Sequence, residues 1–162
     1  MTTGDGRIPC GGLLEKADQC LVKVHGFAWR PGESCGVLGL FGAAAVPLSF
    51  LNISYGEDDL LHMQFCFEQR HLERARPLLA DVDTAFQPRT VLVVEAVHIL
   101  TLYGPHFGEK HALASEAFGA LCSAAVRVHG VCSSINSISL VVDSADADAA
   151  RRALATRFQW PE

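Results

Sequence analysis

Residues 36–46 read GVLGLFGAAAV and residues 116–126 read EAFGALCSAAV, so the same apolar pattern occurs twice in the chain. Each stretch follows a strand-like run and a loop, and the run ends at Gly26 in the first copy and at Gly104 in the second. A repeat of about 80 residues is too long for a solenoid and has the right size for a small α/β module. The sequence therefore predicts two related modules.

Both stretches have apolar residues at helical spacing, which predicts helices with one buried face. The equivalent positions are Val37 and Ala117, Leu38 and Phe118, Phe41 and Leu121, Ala45 and Ala125, and Val46 and Val126. We expect the first helix to open at Pro31-Gly32, because an early helical position tolerates proline. In the second helix we expect Phe118 on the buried face together with Leu113, Ala117 and Leu121.

Each module reads strand, helix, strand, strand, helix, strand. The predicted strands are Cys20–His25, Leu48–Tyr55, Leu61–Phe67, Val91–Leu102, Arg127–Ser133 and Ile138–Val142. A helix lies between the third and fourth of these strands, and its Pro77 should limit or bend it. Another helix covers Asp143–Phe158. This order is the ferredoxin-like βαββαβ arrangement, an α+β fold in which two helices cover one face of an antiparallel sheet. The second module lacks a clear final strand. Either Ile8 to Leu14 or a strand shared between the modules would supply it, and residues 1–10 look like a loose tail.

Composition narrows the classes of function. The formal net charge of −5 gives no basic field for phosphates, so we expect no nucleic-acid partner. No apolar run reaches the roughly 18 residues that span a bilayer, and the N-terminus lacks the basic-then-apolar order of a signal peptide. We therefore expect a cytoplasmic protein without a membrane partner. The apolar fraction of 49% suggests extra apolar surface, which an oligomer interface would cover.

The residues show no catalytic or metal-binding pattern. The six cysteines form no Cys-x-x-Cys pair and read as reduced and mostly buried, although Cys35 would lie in a first helical turn that can lower a thiol pKa. His106 and His111 are five residues apart, without the spacing of a helical zinc pair. No nucleophile elbow or phosphate-binding loop occurs. We expect no enzyme activity, metal or cofactor.

The second module carries the most specific resemblance. Residues 104–112 (GPHFGEKHA), 117–121 (AFGAL) and 133–143 (SSINSISLVVD) resemble the ACT domain, in particular the second of the paired ACT domains in the tail of aspartokinases. The first module resembles it more weakly, through Pro31-Gly32, Phe41 and Val46. The resemblance spans roughly residues 13–158 and implies a tail at 1–12, one ACT domain at 13–95 and a second at 96–162.

This resemblance implies a regulatory module that binds a free amino acid and pairs with a second copy of itself. In the family the ligand lies near the loop between the first strand and the first helix, where backbone groups and side chains of the second strand hold it. The ligand-binding residues that this implies are Arg30, Gly32, Ser34, Ser49, Ser54, Phe107, Gly108, His111, Ala112, His129 and Ser134.

Elementary chemistry agrees with several of these positions. Helix starts at Gly32 and Ala112 would offer unpaired backbone N–H groups and a positive dipole end to an α-carboxylate. Ser49 and His129 occupy the place where aspartokinase tails often carry an aspartate for the ammonium group, and serine is a weaker partner for it. The ligand's identity does not follow from these residues.

Three alternatives remain open at this point. The chain could be a detached regulatory subunit of an aspartokinase, which would bind that metabolic enzyme. It could be a structural dimer module without a ligand, which the substituted loop positions favour. It could also be an enzyme on the same scaffold, because fold does not fix function, but we find no clustered acid/base pair.

Overall fold

A computed structural model of the chain describes residues 6–28, 36–105, 107 and 112–161. The strands are β1 (Ile8–Pro9), β2 (Gly12–Ala28), β3 (Phe50–Tyr55), β4 (Leu60–Glu68), β5 (Thr90–Tyr103), β6 (Val128–Ser133), β7 (Ser137–Asp143) and β8 (Phe158–Gln159). The helices are α1 (Gly36–Ala43), α2 (Leu72–Phe86), α3 (Leu113–Ser123) and α4 (Ala147–Ala155). Single turns of 3₁₀ helix precede α2 and α4.

The chain forms two compact units. The central unit is Asp18–Glu95, and the terminal unit combines the residues up to Ala17 with those from Ala96 onward. The long strands β2 and β5 each contribute one part to each unit. This division differs from the expected domains at the N-terminus, where residues placed in a tail and in the first ACT domain belong to the terminal unit.

The central unit has the predicted ferredoxin-like order. Its sheet runs β3-β4-β2-β5, and β4 is antiparallel to both of its neighbours. Alternate residues of β2 and β4, such as Val22 and Phe65, face a core shared with Phe41 of α1 and Ala75 of α2. This periodicity of two on the strands and 3.6 on the helices places both helices on one face of the sheet.

The terminal unit repeats this arrangement with strands from both ends of the chain. Its order is β6-β7-β5-β2, so residues 12–17 of β2 take the place of the missing fourth strand. The Gly11 N–H donates to the Tyr103 carbonyl at 2.7 Å. The N-terminal segment is therefore part of the unit, which settles the open question about the last strand.

The expectation of a loose tail up to residue 10 is wrong for its last residues. β1 pairs in parallel with β8, with Ile8 opposite Phe158. Ile8, Cys10 and Leu13 pack against the apolar core of the terminal unit, and Trp160 does the same from the other end of the chain. Burial of these apolar side chains is the physical reason for the ordered segment.

Three local predictions also need correction. Phe118 is 46% exposed, and the buried face of α3 is formed by Leu113, Ala117, Ala120 and Leu121. Pro77 lies inside α2 and does not limit it, because the helix continues to Phe86. α4 ends at Ala155 because Arg157 donates its N–H to the Leu154 carbonyl in a tight final turn, after which Phe158 enters β8.

Candidate functional site

Five of the predicted ligand residues lie outside the described part of the chain: Arg30, Gly32, Ser34, Gly108 and His111. Cys35, singled out for a low thiol pKa, lies outside it as well. The structure places the other six in two groups. Ser49 and Ser54 belong to the central unit, and Phe107, Ala112, His129 and Ser134 belong to the terminal unit.

In the terminal unit, the loop after β5 begins beside the β6–β7 turn. The Gly104 N–H donates to the Asn136 carbonyl at 2.9 Å. Residue 134 is in the same turn, so the structure brings the predicted Ser134 close to the start of the predicted binding loop. The Phe107 side chain is 4% exposed and packs in the apolar core of this unit.

The Ser134 hydroxyl is engaged within its own turn. It lies 3.1 Å from Asn136 Oδ1, to which it donates, and 2.9 Å from Ser137 Oγ. The Ser134 N–H also donates to the Ser137 carbonyl at 2.8 Å. These bonds order the turn, as serine and asparagine commonly do.

Ala112 is the N-cap of α3, as the sequence predicts. It has a left-handed backbone with φ of 63°, and its carbonyl accepts the Glu116 N–H at 2.9 Å. Alanine has no side-chain oxygen for the first-turn N–H groups, which serine or aspartate would supply. The first turn of α3 is therefore suited to an external acceptor such as a carboxylate.

Ser49 and His129, the expected ammonium partners, each bond to a side chain of their own unit. Ser49 Oγ donates to Oε1 of the buried Gln19 at 2.6 Å. His129 Nε2 lies 2.8 Å from Asp143 Oδ1, beside a register shift between Val128 and Gly130. Each position is therefore already engaged by a neighbouring side chain.

Ser54 lies in a polar row that crosses three strands of the central unit. It is opposite His62 on β4, and His62 is opposite His25 on β2. The two histidine Nδ1 atoms are 3.0 Å apart, with ring centroids separated by 5.3 Å. If the two nitrogens point straight at each other, the centroid separation equals the Nδ1–Nδ1 distance plus the radii of the two imidazole rings. The observed separation is close to this sum, so the nitrogens face each other in line, as a hydrogen bond requires. Burial, followed by the charges of His62 and Lys23, lowers the pKa of His25.

A second polar contact lies at the same end of the central unit. Arg89 donates to Asp58 Oδ2 at 2.6 Å, and the Arg89 N–H donates to the Gly26 carbonyl at 3.3 Å. Partial desolvation of the Asp58 carboxylate acts to raise its pKa, but hydrogen bonds from the Leu60 N–H and from Arg89 outweigh this effect and lower the pKa. These contacts connect the end of β2, the β3–β4 turn and the start of β5.

Sequence reasoning missed His25, His62, Asp58 and Arg89 as a group. Their residue types carried a weak signal, since His25 and His62 lie near the ends of predicted strands. The residue types do not reveal the register between β2 and β4, and this register decides which residues of the two strands face each other.

Neither a metal centre nor a membrane span is evident in the described ranges. No three or more histidine, cysteine or acidic side chains there form a group that could hold a metal ion. Among the same residues, no helix combines the length and apolar character needed to cross a bilayer.

Comparison with solved structures gives strong similarity to regulatory parts of aspartokinases. The ligand-free regulatory subunit of aspartate kinase from Thermus thermophilus matches with a TM-score of 0.82 and 16% identity, over 93% of this chain and 99% of that one. Aspartate kinase from Synechocystis matches with a TM-score of 0.82 and 21% identity, over 91% of this chain and 26% of the enzyme. E. coli aspartokinase III in complex with lysine and aspartate matches with a TM-score of 0.70 and 18% identity, over 91% and 32% of the two chains.

No protein-family model and no curated protein sequence matches the chain significantly. The similarity is therefore one of three-dimensional structure, and it confirms the predicted fold class of two ferredoxin-like modules. It covers nearly all of a separate regulatory subunit and only a fraction of the longer kinase chains. The chain has the α+β fold of the paired regulatory modules of aspartokinases.

Proposed function

We propose that the protein is a non-catalytic regulatory protein of the cytoplasm that binds a free amino acid. The observation that carries this proposal is the match to a whole regulatory subunit, 99% of which this chain covers. The additional support is the loop–helix start at Ala112, which is suited to a carboxylate. The sequence resemblance to ACT domains points to the same class of protein.

The ligand's carboxylate would bind the backbone N–H groups at the first turn of α3 or at the corresponding helix start of the central unit. Ser54 on the second strand of the central module, or Ser134 directly after the second strand of the other module, would orient the amine. E. coli aspartokinase III was solved with lysine and aspartate, which are amino acids, and this supports the ligand class. The interaction of an ammonium group with serine is weaker than with a carboxylate, so we expect modest affinity.

We propose that two copies of the chain pair with each other. β3 is an edge strand of the central sheet, and its Leu51, Ile53 and Tyr55 are exposed although they are apolar. An apolar edge strand presents unpaired backbone groups and favours pairing with another chain. A second copy that extends the sheet along β3 would pair these backbone groups and place its own side chains beside this row.

Regulation would follow if two arrangements of the paired chains bound the ligand with different affinities. A hundredfold difference in affinity corresponds to about 2.7 kcal/mol, which lies in the usual range of allosteric coupling. The output would be a metabolic enzyme, and a detached regulatory subunit of an aspartokinase is the most specific form of this proposal. Such a subunit should co-purify with the kinase from its own cells.

One observation favours a second candidate, a structural dimer module without a ligand. Ser49 and His129, the positions expected to hold the ammonium group, bond to Gln19 and Asp143. A ligand would have to displace these bonds or rely on other acceptors. This candidate keeps the dimer and predicts no response to amino acids.

A thermal-shift screen with the twenty amino acids separates the two candidates. A ligand present at a hundred times its dissociation constant adds about 2.7 kcal/mol to the stability of the folded state. Ser54→Leu and Ser134→Leu together should abolish the shift, whereas Ser123→Leu, an exposed serine at the end of α3, should preserve it. No shift with any amino acid at millimolar concentration would leave the ligand-free dimer module.

A further inference from the structure

We propose that the hydrogen-bonded pair of His25 and His62 is a proton-responsive clasp that controls the end of the central unit where β2 leads into the proposed binding loop. The clasp itself is independent of any ligand, and its effect on amino-acid binding rests on the function proposed above. The pair joins β2 to β4 through side chains, directly beside an irregular point of the backbone ladder.

The in-line contact requires one proton between the two facing nitrogens. In the neutral pair, one Nδ1–H donates to the other Nδ1, which must be unprotonated. A first added proton goes to an outer nitrogen and leaves this bond in place with a charged donor, which strengthens it. A second added proton occupies the remaining Nδ1, removes the only acceptor and places two positive rings against each other. The clasp therefore opens with the second proton.

Charged side chains lie on both sides of the pair. Lys23, two residues before His25 on β2, opposes further positive charge. On the turn side, a Cβ at Gly56 would lie 2.7 Å from both His62 Nε2 and Asp58 Oδ1, so the Asp58 carboxylate lies near the outer nitrogen of His62. Arg89 neutralises part of that carboxylate charge. Glu57 and Asp59 are exposed in the same turn.

The backbone beside the pair is the part that an open clasp would release. The β2–β4 register shifts between His25 and Phe27, where Gly26 has a positive φ of 71°. Within the described residues, the two pairs beyond this shift are Phe27 with Leu61 and Ala28 with Leu60. Local opening begins where few backbone bonds hold a segment, so these end pairs depend most on the side-chain contact.

Histidine titration by NMR tests the clasp directly. We expect the Cε1–Hε1 signals of His25 and His62 to move together in two coupled steps. In His62→Gln, His25 should titrate in a single step. His71→Gln, a histidine elsewhere in the central unit, should leave both coupled steps unchanged. Two independent single steps in the unmodified protein would overturn the proposal.

Hydrogen exchange measures the opening. Between pH 7 and pH 5, after correction for intrinsic rates, the amides of Phe27 and Leu61 should lose about tenfold protection, the change that one pKa unit represents. This loss should disappear in His62→Gln, or in His25→Gln if the first variant does not fold. An equal loss in the glutamine variants would show that the pair does not control these strands.

The effect on binding is measured with the amino acid that the thermal-shift screen identifies. Its stabilisation should be smaller at pH 5 than at pH 7.5 in the unmodified protein and equal at both values in His62→Gln. Equal stabilisation in the unmodified protein would overturn control of the site by the clasp. If no amino acid binds, the proposed function fails, and the NMR and exchange results still decide whether the clasp exists.

Discussion

The Val126 N–H donates to the carbonyl oxygen of Leu121 at 3.0 Å and closes helix α3. Val46 makes the same bond to Phe41 at 3.0 Å at the end of α1. Both valines are buried against the helix that they close, as in the Schellman ending of a helix. The duplication has therefore kept the helix ending of each module as well as its buried face.

Each ending contains a strained alanine. Ala45 and Ala125 have φ of 52° and 56°, a conformation that glycine adopts without steric cost. We expect Ala125→Gly to raise the free energy of unfolding by about 1 kcal/mol, and Ala45→Gly to do the same. Urea denaturation measures this change. Ala124→Gly, one residue earlier with φ of −90°, is the matched control and should not stabilise the protein.

The buried and exposed aromatic side chains of the repeated helices should differ strongly in their contribution to stability. Phe41 is fully buried and packs edge-on against Phe65 with ring centroids 4.8 Å apart, whereas Phe118 is exposed. Phe41→Ala should lower the free energy of unfolding by about 3–5 kcal/mol. Phe118→Ala should change it by less than about 0.5 kcal/mol. Similar losses for both variants would contradict the orientation of α3.

Much of the fold could be predicted because the repeat carries its own pattern. The spacing of Val37 and Phe41, and of Ala117 and Leu121, identified both first helices, and alternation from Leu61 to Phe67 identified β4. Phe118 was misplaced because α3 buries the small Ala120 instead, and a residue's size does not reveal which neighbour turns inward. Local patterns define elements and their faces more reliably than they define individual contacts.

The rest depended on contacts between distant parts of the chain. The pairing of Ile8 with Phe158 joins the two ends, and no local pattern indicates it. The His25–His62 pair depends in the same way on the register between β2 and β4. For the binding site, the sequence located the loops and turns, but it did not reveal that Ser49 and His129 already bond to other side chains.

Two adjacent leucines test the role of the N-terminal segment as a strand of the terminal unit. Leu13 packs against the core of this unit, and Leu14, on the opposite face of β2, is 57% exposed. Leu13→Ala should lower the free energy of unfolding by about 2 kcal/mol or more. Leu14→Ala should stay within about 0.5 kcal/mol of the unmodified protein. Equal, small effects would mean that residues 12–17 contribute no strand.

The cysteines should differ in reactivity according to their burial. Burial raises the pKa of Cys66 to about 12 and also raises that of Cys20, with a smaller contribution from the Glu95 charge. Because only the thiolate reacts, both should remain unmodified by a thiol reagent at pH 8 until the protein unfolds. Cys122 is exposed and should react at once. Mass spectrometry of labelled peptides, with Cys35 replaced by serine, identifies the sites in order of labelling.

Binding of a free amino acid near the helix starts is the central claim, and an amide NMR map tests it most directly. With each of the twenty amino acids in turn, at millimolar concentration, at least one should shift the backbone signals around Gly26, Ser54, Gly104 and Leu113 in a saturable manner. Shifts that are absent for all twenty, or that cluster on the outer faces of α2 and α4, would contradict the claim.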